Sequence, residues 1–256
     1  MKIFIISLPD SMERRKFIKS QLDNQNLNYE FITAIYGKKL TTEEIQKLYD
    51  KKKAKKYYFR ELNPSEIGCA LSHKFIYQKM INEGIERAII LEDDLTIKSD
   101  FSNILEYLEN IPINKYLIKL ERLHWGEWGI EGDKNAKKPL FTPWLKTKLN
   151  NEYFFGFTFN NPSLTWGYYI DLAAAKKMYS IMPKIFLVAD GWYYYRKFIR
   201  LRILNKPVIT NNDELFHSTI QENDPVIEEK KDNNYLSDII NKIHKKIRKL
   251  ILLIFY

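Results

Sequence analysis

Ala88-Ile89-Ile90-Leu91, followed without a break by Glu92-Asp93-Asp94, decides how the chain is read. Four apolar residues make a buried strand, and three carboxylates stand at its carboxyl end. In an open parallel sheet, ligands bind at that end. If the strand continues, Glu92 and Asp94 share one face and Asp93 takes the other. Carboxylates gathered at low dielectric repel, so at least one needs a cation or a proton. Oxygen donors suit Mg²⁺ or Mn²⁺, which in turn can bind a diphosphate. A solvated acidic loop after a buried strand has the same local pattern.

Outward from this strand the chain alternates. Ile3 to Leu8 reads as a buried strand broken by Pro9-Asp10, and Met12, Phe17, Ile18 and Leu22 mark the inner face of a helix. Tyr29 to Ala34 reads as a second strand, and Thr41 to about Lys56 as one helix. Asn63-Pro64-Ser65 opens another helix that runs to Met80, with Pro64 in its first turn. Asp100 to Leu108 reads as a helix and Tyr116 to Leu120 as a strand. This order predicts an α/β domain with a mostly parallel central sheet and helices on both faces. Gly126 to Phe157 reads as a long loop or an irregular hairpin, and Leu164 to Ile170 as a strand. Leu172 to Ile181 and Gly191 to Phe198 read as helices.

The chain has 256 residues, a formal net charge of +9 and 45% hydrophobic residues. Ordinary apolar content with nine Gly and nine Pro excludes collagenous, mucin-like and disordered classes. The single Cys69 excludes an internal disulfide and a multi-thiolate zinc site. The charge is local. Lys47, Lys51, Lys52, Lys53, Lys55, Lys56 and Arg60 against Asp50 leave +6, and Lys242, Lys245, Lys246, Arg248 and Lys249 against Asp238 leave +4. The remainder is near neutral, which argues against a nucleic-acid partner. No stretch approaches the ~20 apolar residues of a spanning helix, and the apolar run at Ile3 is short for an export signal. The expectation is a cytoplasmic protein.

Several segments occur in an order that points further. They are Ser7-Leu8-Pro9-Asp10-Ser11-Met12-Glu13-Arg14-Arg15, Ala34-Ile35-Tyr36-Gly37-Lys38-Lys39-Leu40, Ser65-Glu66-Ile67-Gly68-Cys69-Ala70-Leu71-Ser72-His73 and Ile89-Ile90-Leu91-Glu92-Asp93-Asp94. Gly167-Tyr168-Tyr169-Ile170, Ala189-Asp190 and Ser218-Thr219-Ile220 follow. Together, over roughly residues 1–222, the chain resembles glycosyltransferase family 25, the family of bacterial lipooligosaccharide β-galactosyltransferases and collagen galactosyltransferases. The resemblance implies a GT-A-like domain at 1–225 and an inverting, metal-assisted transfer from a UDP-sugar, commonly UDP-galactose, with glucose as the alternative sugar. It makes Glu92-Asp93-Asp94 the counterpart of an Asp-x-Asp motif, with Asp94 and then Glu92 on Mn²⁺ or Mg²⁺ and Asp93 on the metal or the donor ribose. His217 is a further metal candidate, and Leu8, Arg14, Ser72 and His73 are donor-binding candidates.

Inversion needs a base opposite the leaving diphosphate. Asp190 is the choice by resemblance, with Asp171 and Asp213 behind it; the local pattern by itself favours an N-cap at Asp190. Trp125 and Trp128, in a polar stretch, are acceptor-binding candidates, since sugars stack on aromatic rings. Residues 226–256 form a separate tail. In it Ile239, Ile240, Ile243, Ile247, Leu250, Ile251 and Ile254 recur at helical spacing among lysines. A basic amphipathic helix of this kind lies on an anionic inner leaflet or packs on its own domain. The first option makes the protein peripheral on the inner face of the cytoplasmic membrane, working on a lipid-linked oligosaccharide. A nucleotidyltransferase-like metal enzyme is the competing reading. It wants a Gly-rich phosphate loop after the first strand, where this chain has Ser7-Leu8-Pro9-Asp10.

Overall fold

The computed structural model describes residues 1–121, 141–158, 162, 164–212, 215 and 216, with backbone alone for 142–144. Trp125, Trp128, Asp213, His217 and the tail at 226–256 lie outside the described residues.

The first half follows the expected alternation. β1 (Lys2–Ser7), α1 (Met12–Asp23) and β2 (Glu30–Thr33) come first, then a 3₁₀ turn (Gly37–Lys39), α2 (Thr42–Leu48), α3 (Lys51–Tyr58) and α4 (Pro64–Glu83). β3 (Arg87–Glu92), β4 (Leu95–Ile97), α5 (Phe101–Glu109) and β5 (Tyr116–Lys119) follow. The second half adds β6 (Phe141–Lys148), β7 (Phe154–Thr158), β8 (Gly167–Asp171), α6 (Leu172–Ile181), α7 (Trp192–Tyr195), β9 (Arg200–Leu204) and β10 (Ile209–Asn211).

Eight strands form one sheet in the order β2-β1-β3-β8-β5-β9-β7-β6, and β4 pairs with β10 in a small ribbon. β8 and β7 run against the other six strands, so the sheet is mostly parallel. The reversal of β8 between β3 and β5 leaves no trace in residue pattern, because side-chain alternation carries no direction.

Ile3 and Ile5 of β1 pack with Ile18, Leu22, Phe101 and Ile104 on one face, whereas Phe4 and Ile6 pack with Ile67, Leu71, Ala174 and Met178 on the other. A strand covered on both faces must be apolar throughout, as Ile3 to Ile6 is. α1 thus crosses from β1 to β2 on one face, and α4 returns to β3 on the other. The crossovers diverge between β1 and β3, and that divergence opens a crevice at the carboxyl ends of these two strands.

Two helices differ from expectation. The single helix read over Thr41–Lys56 is two, because Tyr49 and Asp50 leave the helix to meet Ile185, whose carbonyl accepts from Asp50 N–H at 2.7 Å. Asp50 then caps α3 through Lys53 N–H. The helix after Asp190 is a short α7 rather than Gly191–Phe198. The β6–β7 antiparallel pair with its register shift is the irregular hairpin of the two options. Among the described residues no helix is long and apolar enough to cross a membrane.

Gly37 and Gly68 set the height of α4 against the sheet. A Cβ on Gly68 would lie 2.4 Å from Ile35 O and 2.5 Å from Gly37 N; one on Gly37 would lie 1.7 Å from Pro64 O. Backbone meets backbone here, so no side chain can yield. Gly68→Ala is expected to cost about 2–3 kcal/mol through forced displacement of α4. In a domain of this size that is a fall in Tm of roughly 4–12 °C, read by calorimetry. An unchanged Tm would show that the helix shifts freely.

Candidate active site at the ends of β1 and β3

The crevice between β1 and β3 is a cleft of about 800 Å³ counted to its open mouth. Ser7 and Leu8 line it from β1, Arg14 from α1, Tyr36 and Gly37 from the 3₁₀ turn, Cys69, Ser72 and His73 from α4, and Glu92, Asp93 and Asp94 from the end of β3. The strand stops at Glu92, so the three carboxylates do not alternate as a continued strand would have them.

Asp93 turns inward and is buried. Its Oδ2 accepts from Ser7 Oγ at 2.6 Å, and its Oδ1 lies 3.5 Å from Arg14 Nη1. The same Arg14 nitrogen reaches Asp94 Oδ2 at 3.2 Å. Burial pushes the Asp93 carboxyl up, against the opposing pull of Ser7 and Arg14. Of the paired arginines that start α1, Arg14 faces the cleft, while Arg15 stacks over the Phe31 ring at 4.3 Å.

Glu92 accepts from Thr165 Oγ1, and its N–H donates to Trp166 O. Its carboxyl is pushed well up, first by burial and then by Asp94. The side chains of Glu92 and Asp94 keep 27% and 21% of their surface accessible, against 9% for Asp93. These oxygen donors fit a divalent cation. They are hard ligands, they crowd one another, and the two more accessible ones line the cleft. Asp93 is committed to Ser7 and Arg14.

Other sequence candidates are built into the frame. Ser72 Oγ accepts from Ile35 N–H and donates to Gly68 O, both at 2.8 Å, fastening the 3₁₀ turn to α4. His73 is buried, with Nδ1 2.7 Å from Tyr168 OH, and burial lowers its pKa to about 3, so it is a neutral imidazole. Leu8 lines the cleft, but its carbonyl accepts from Ser11 N–H. Cys69 is half-buried on the cleft wall. Burial, then Glu92 and Asp190, push its thiol up, away from the thiolate form. Asp171 is fully buried and caps α6 while accepting from Asn114 and Tyr116 N–H, which removes it as an alternative base.

Asp190 precedes α7 and is not its side-chain cap, contrary to the local N-cap reading. Its Oδ2 accepts from Leu164 N–H at 3.0 Å. Leu164 has φ +66°, a left-handed backbone unusual for a branched residue. Its carbonyl accepts from Lys119 Nζ and from Trp192 Nε1. Lys119 pairs with Glu121, both 1% exposed, and Glu121 Oε2 accepts from Gly167 N–H at 2.8 Å. The stretch Leu164–Gly167 is thereby pinned at both ends, with Thr165 on Glu92 and Leu164 on Asp190. Sequence reading missed Ser7, Thr165, Glu121 and the role of Lys119. The one available signal was Lys119-x-Glu121, two charges on one face of an otherwise apolar strand.

Comparison with known proteins gives the family. Residues 1–192 match the family described as Glycosyltransferase family 25 (LPS biosynthesis protein). Procollagen galactosyltransferase 1 of Danio rerio is 24% identical over 185 residues, covering 71% of this chain and 29% of that protein. A glycosyltransferase 25 family member of Aedes aegypti is 32% identical over 102 residues, covering 39% of this chain and 17% of that protein. The chain thus spans less than a third of the length of these relatives. The crystal structure of a glycosyltransferase involved in the glycosylation of the major capsid of PBCV-1 overlays at TM-score 0.34 and 12% identity. It covers 70% of this chain and 65% of that one, too loosely to carry a conclusion. The family match takes in the cleft and every described candidate residue, Asp190 included, and the chain belongs to glycosyltransferase family 25.

Proposed function

We propose that this glycosyltransferase moves a hexose, galactose from UDP-galactose, onto a sugar hydroxyl of a lipid-linked oligosaccharide, with inversion and with help from Mn²⁺ or Mg²⁺. The observation that carries the reading is the carboxylate cluster with Arg14 at the switch-point cleft. The galactosyltransferase relatives support the donor sugar, and the lipopolysaccharide description of the family supports the acceptor class. UDP-glucose is the alternative within the same chemistry.

In this mechanism Asp94 and Glu92 would hold the cation, and Arg14 adds a second positive charge for the diphosphate. The bound cation supplies electrostatic stabilisation of the departing diphosphate. Asp190 Oδ1 takes the acceptor hydroxyl proton as the acceptor oxygen bonds to the anomeric carbon and the bond to the diphosphate breaks. Trp125 and Trp128 would hold the acceptor sugar, and His217 would be a further ligand of the cation. The basic tail at 226–256 keeps the enzyme peripheral on an anionic inner membrane face, near its acceptor.

A screen of nucleotide sugars with Mn²⁺, reading UDP release, tests the donor assignment. UDP-galactose is expected to be consumed fastest. Asp94→Ala is expected to lower the rate by about 10²–10³ with unchanged Tm, as removal of a main electrostatic stabiliser does. Near-normal turnover of Asp94→Ala, or no consumption of any UDP-sugar, would overturn the reading.

A further inference from the structure

Cys69 and His73 stand one turn apart on α4, facing Glu92 at the end of β3. The Cys69 Sγ, a His73 ring nitrogen and a Glu92 carboxylate oxygen all lie within 4.8 Å of one another. His73 Nε2 is 4.0 Å from Glu92 Oε1. It is buried, on a side chain 3% exposed, and has no hydrogen-bond partner. A buried nitrogen left unsatisfied costs about 1–3 kcal/mol, which a bound cation would relieve.

The surroundings orient each group as ligands of a metal are oriented. His73 Nδ1 lies 2.7 Å from Tyr168 OH, and Tyr168 OH lies 2.8 Å from Tyr77 OH. A chain in which Nδ1–H donates to Tyr168 and Tyr168 donates to Tyr77 leaves the Nε2 lone pair unused, 4.0 Å from Glu92 Oε1. Thr165 Oγ1 donates to Glu92 Oε1 and its hydroxyl also lies against the Cys69 thiol, so one side chain ties two of the three groups together.

We propose that Cys69, His73 and Glu92 form a three-ligand site for a borderline-soft divalent cation of the zinc class, with its fourth position open to the cleft. Sulfur, imidazole and one carboxylate make a donor set suited to zinc, and three protein ligands plus an open position is the arrangement of a reactive rather than a structural site. Tetrahedral zinc brings its ligand atoms to roughly 3.3–3.7 Å from one another. Closing the present set from within 4.8 Å requires a contraction of up to about 1.5 Å, within reach of the Cys69 and Glu92 side chains. This position is distinguished from the hard-oxygen position at Asp94 by Cys69 and His73, and the two share the Glu92 carboxylate. Occupancy here is independent of whether the donor is UDP-galactose.

Cobalt titrated into the full chain, stripped of metal and without nucleotide, tests the site. One equivalent is expected to produce a thiolate-to-cobalt absorption band, and Zn²⁺ should abolish it and protect the single cysteine from alkylation. Cys69→Ser should remove the band, and Glu92→Gln and His73→Asn should each weaken cobalt binding tenfold or more. Asp94→Ala should leave the band in place. A missing band, or a band indifferent to His73 and Glu92, overturns the proposal. Loss of the band in Asp94→Ala also overturns it, by assigning the cation to the aspartates. If His73→Asn does not fold, Glu92→Gln decides alone. Failure of the UDP-sugar screen would leave all of these readings unaffected, so the two ideas fail separately.

Discussion

Asp190→Asn is expected to lower kcat by about three orders of magnitude while KM and Tm stay near their starting values. The magnitude follows from general-base catalysis, which contributes typically 10²–10⁴-fold. The substitution is informative because of what it leaves intact. Asp190 Oδ2 accepts from Leu164 N–H, and an Asn carbonyl oxygen can accept the same bond. The left-handed Leu164 and the clamp through Thr165 to Glu92 therefore survive. What is lost is the capacity to accept a proton from the acceptor hydroxyl. A steady-state comparison with the same donor and acceptor, alongside a melting curve, separates the two effects. Near-normal kcat in Asp190→Asn would remove it as the base. A fall in Tm matching the loss of activity would reduce it to a structural anchor.

The position of the cleft could be read from residues 1–94 because two elementary signals coincide there. Ile3 to Ile6 and Ala88 to Leu91 are apolar on both faces, and the polar groups begin where each strand ends. Strands covered on both faces have that profile, and helices between them make the connection parallel. Asn63-Pro64-Ser65 likewise marked the start of α4, where the structure shows a capping box between Asn63 and Glu66. Features decided by distant contacts were not legible. Tyr49 breaks a helical run because its hydroxyl accepts from Leu62 N–H and its backbone bridges to Ile185. Asp171 and Asp190 look alike in sequence, yet three backbone N–H groups occupy Asp171 and one occupies Asp190. Ser72 and His73 belong to the segment that carries the family resemblance. Both are largely engaged in holding α4 to its neighbours, so a shared motif marks a shared frame as readily as a ligand contact.

Lys119→Met is expected to destabilise the fold by about 3–5 kcal/mol, the cost of stranding one member of a buried ion pair. Glu121 would remain 1% exposed, without its cation, on a strand whose neighbours include the Glu92 carboxyl that it already pushes up. Glu121→Gln alone strands the ammonium instead, although Gln keeps an acceptor for Gly167 N–H. The double variant Lys119→Met/Glu121→Gln removes both charges and should recover most of the stability, giving a coupling energy of several kcal/mol in a denaturant-unfolding cycle. Activity should not recover with it. Lys119 Nζ also donates to Leu164 O, and Leu164 N–H holds Asp190. Without the lysine, the left-handed Leu164 loses one of two donors to its carbonyl, with Trp192 Nε1 as the other. The double variant should therefore melt close to the parent protein while its kcat stays at least tenfold lower. Recovery of stability without recovery of turnover would identify the buried pair as the support of Asp190 and Thr165. Recovery of both would leave it a packing element of the sheet, and additive single-variant losses would show that the two charges do not depend on one another.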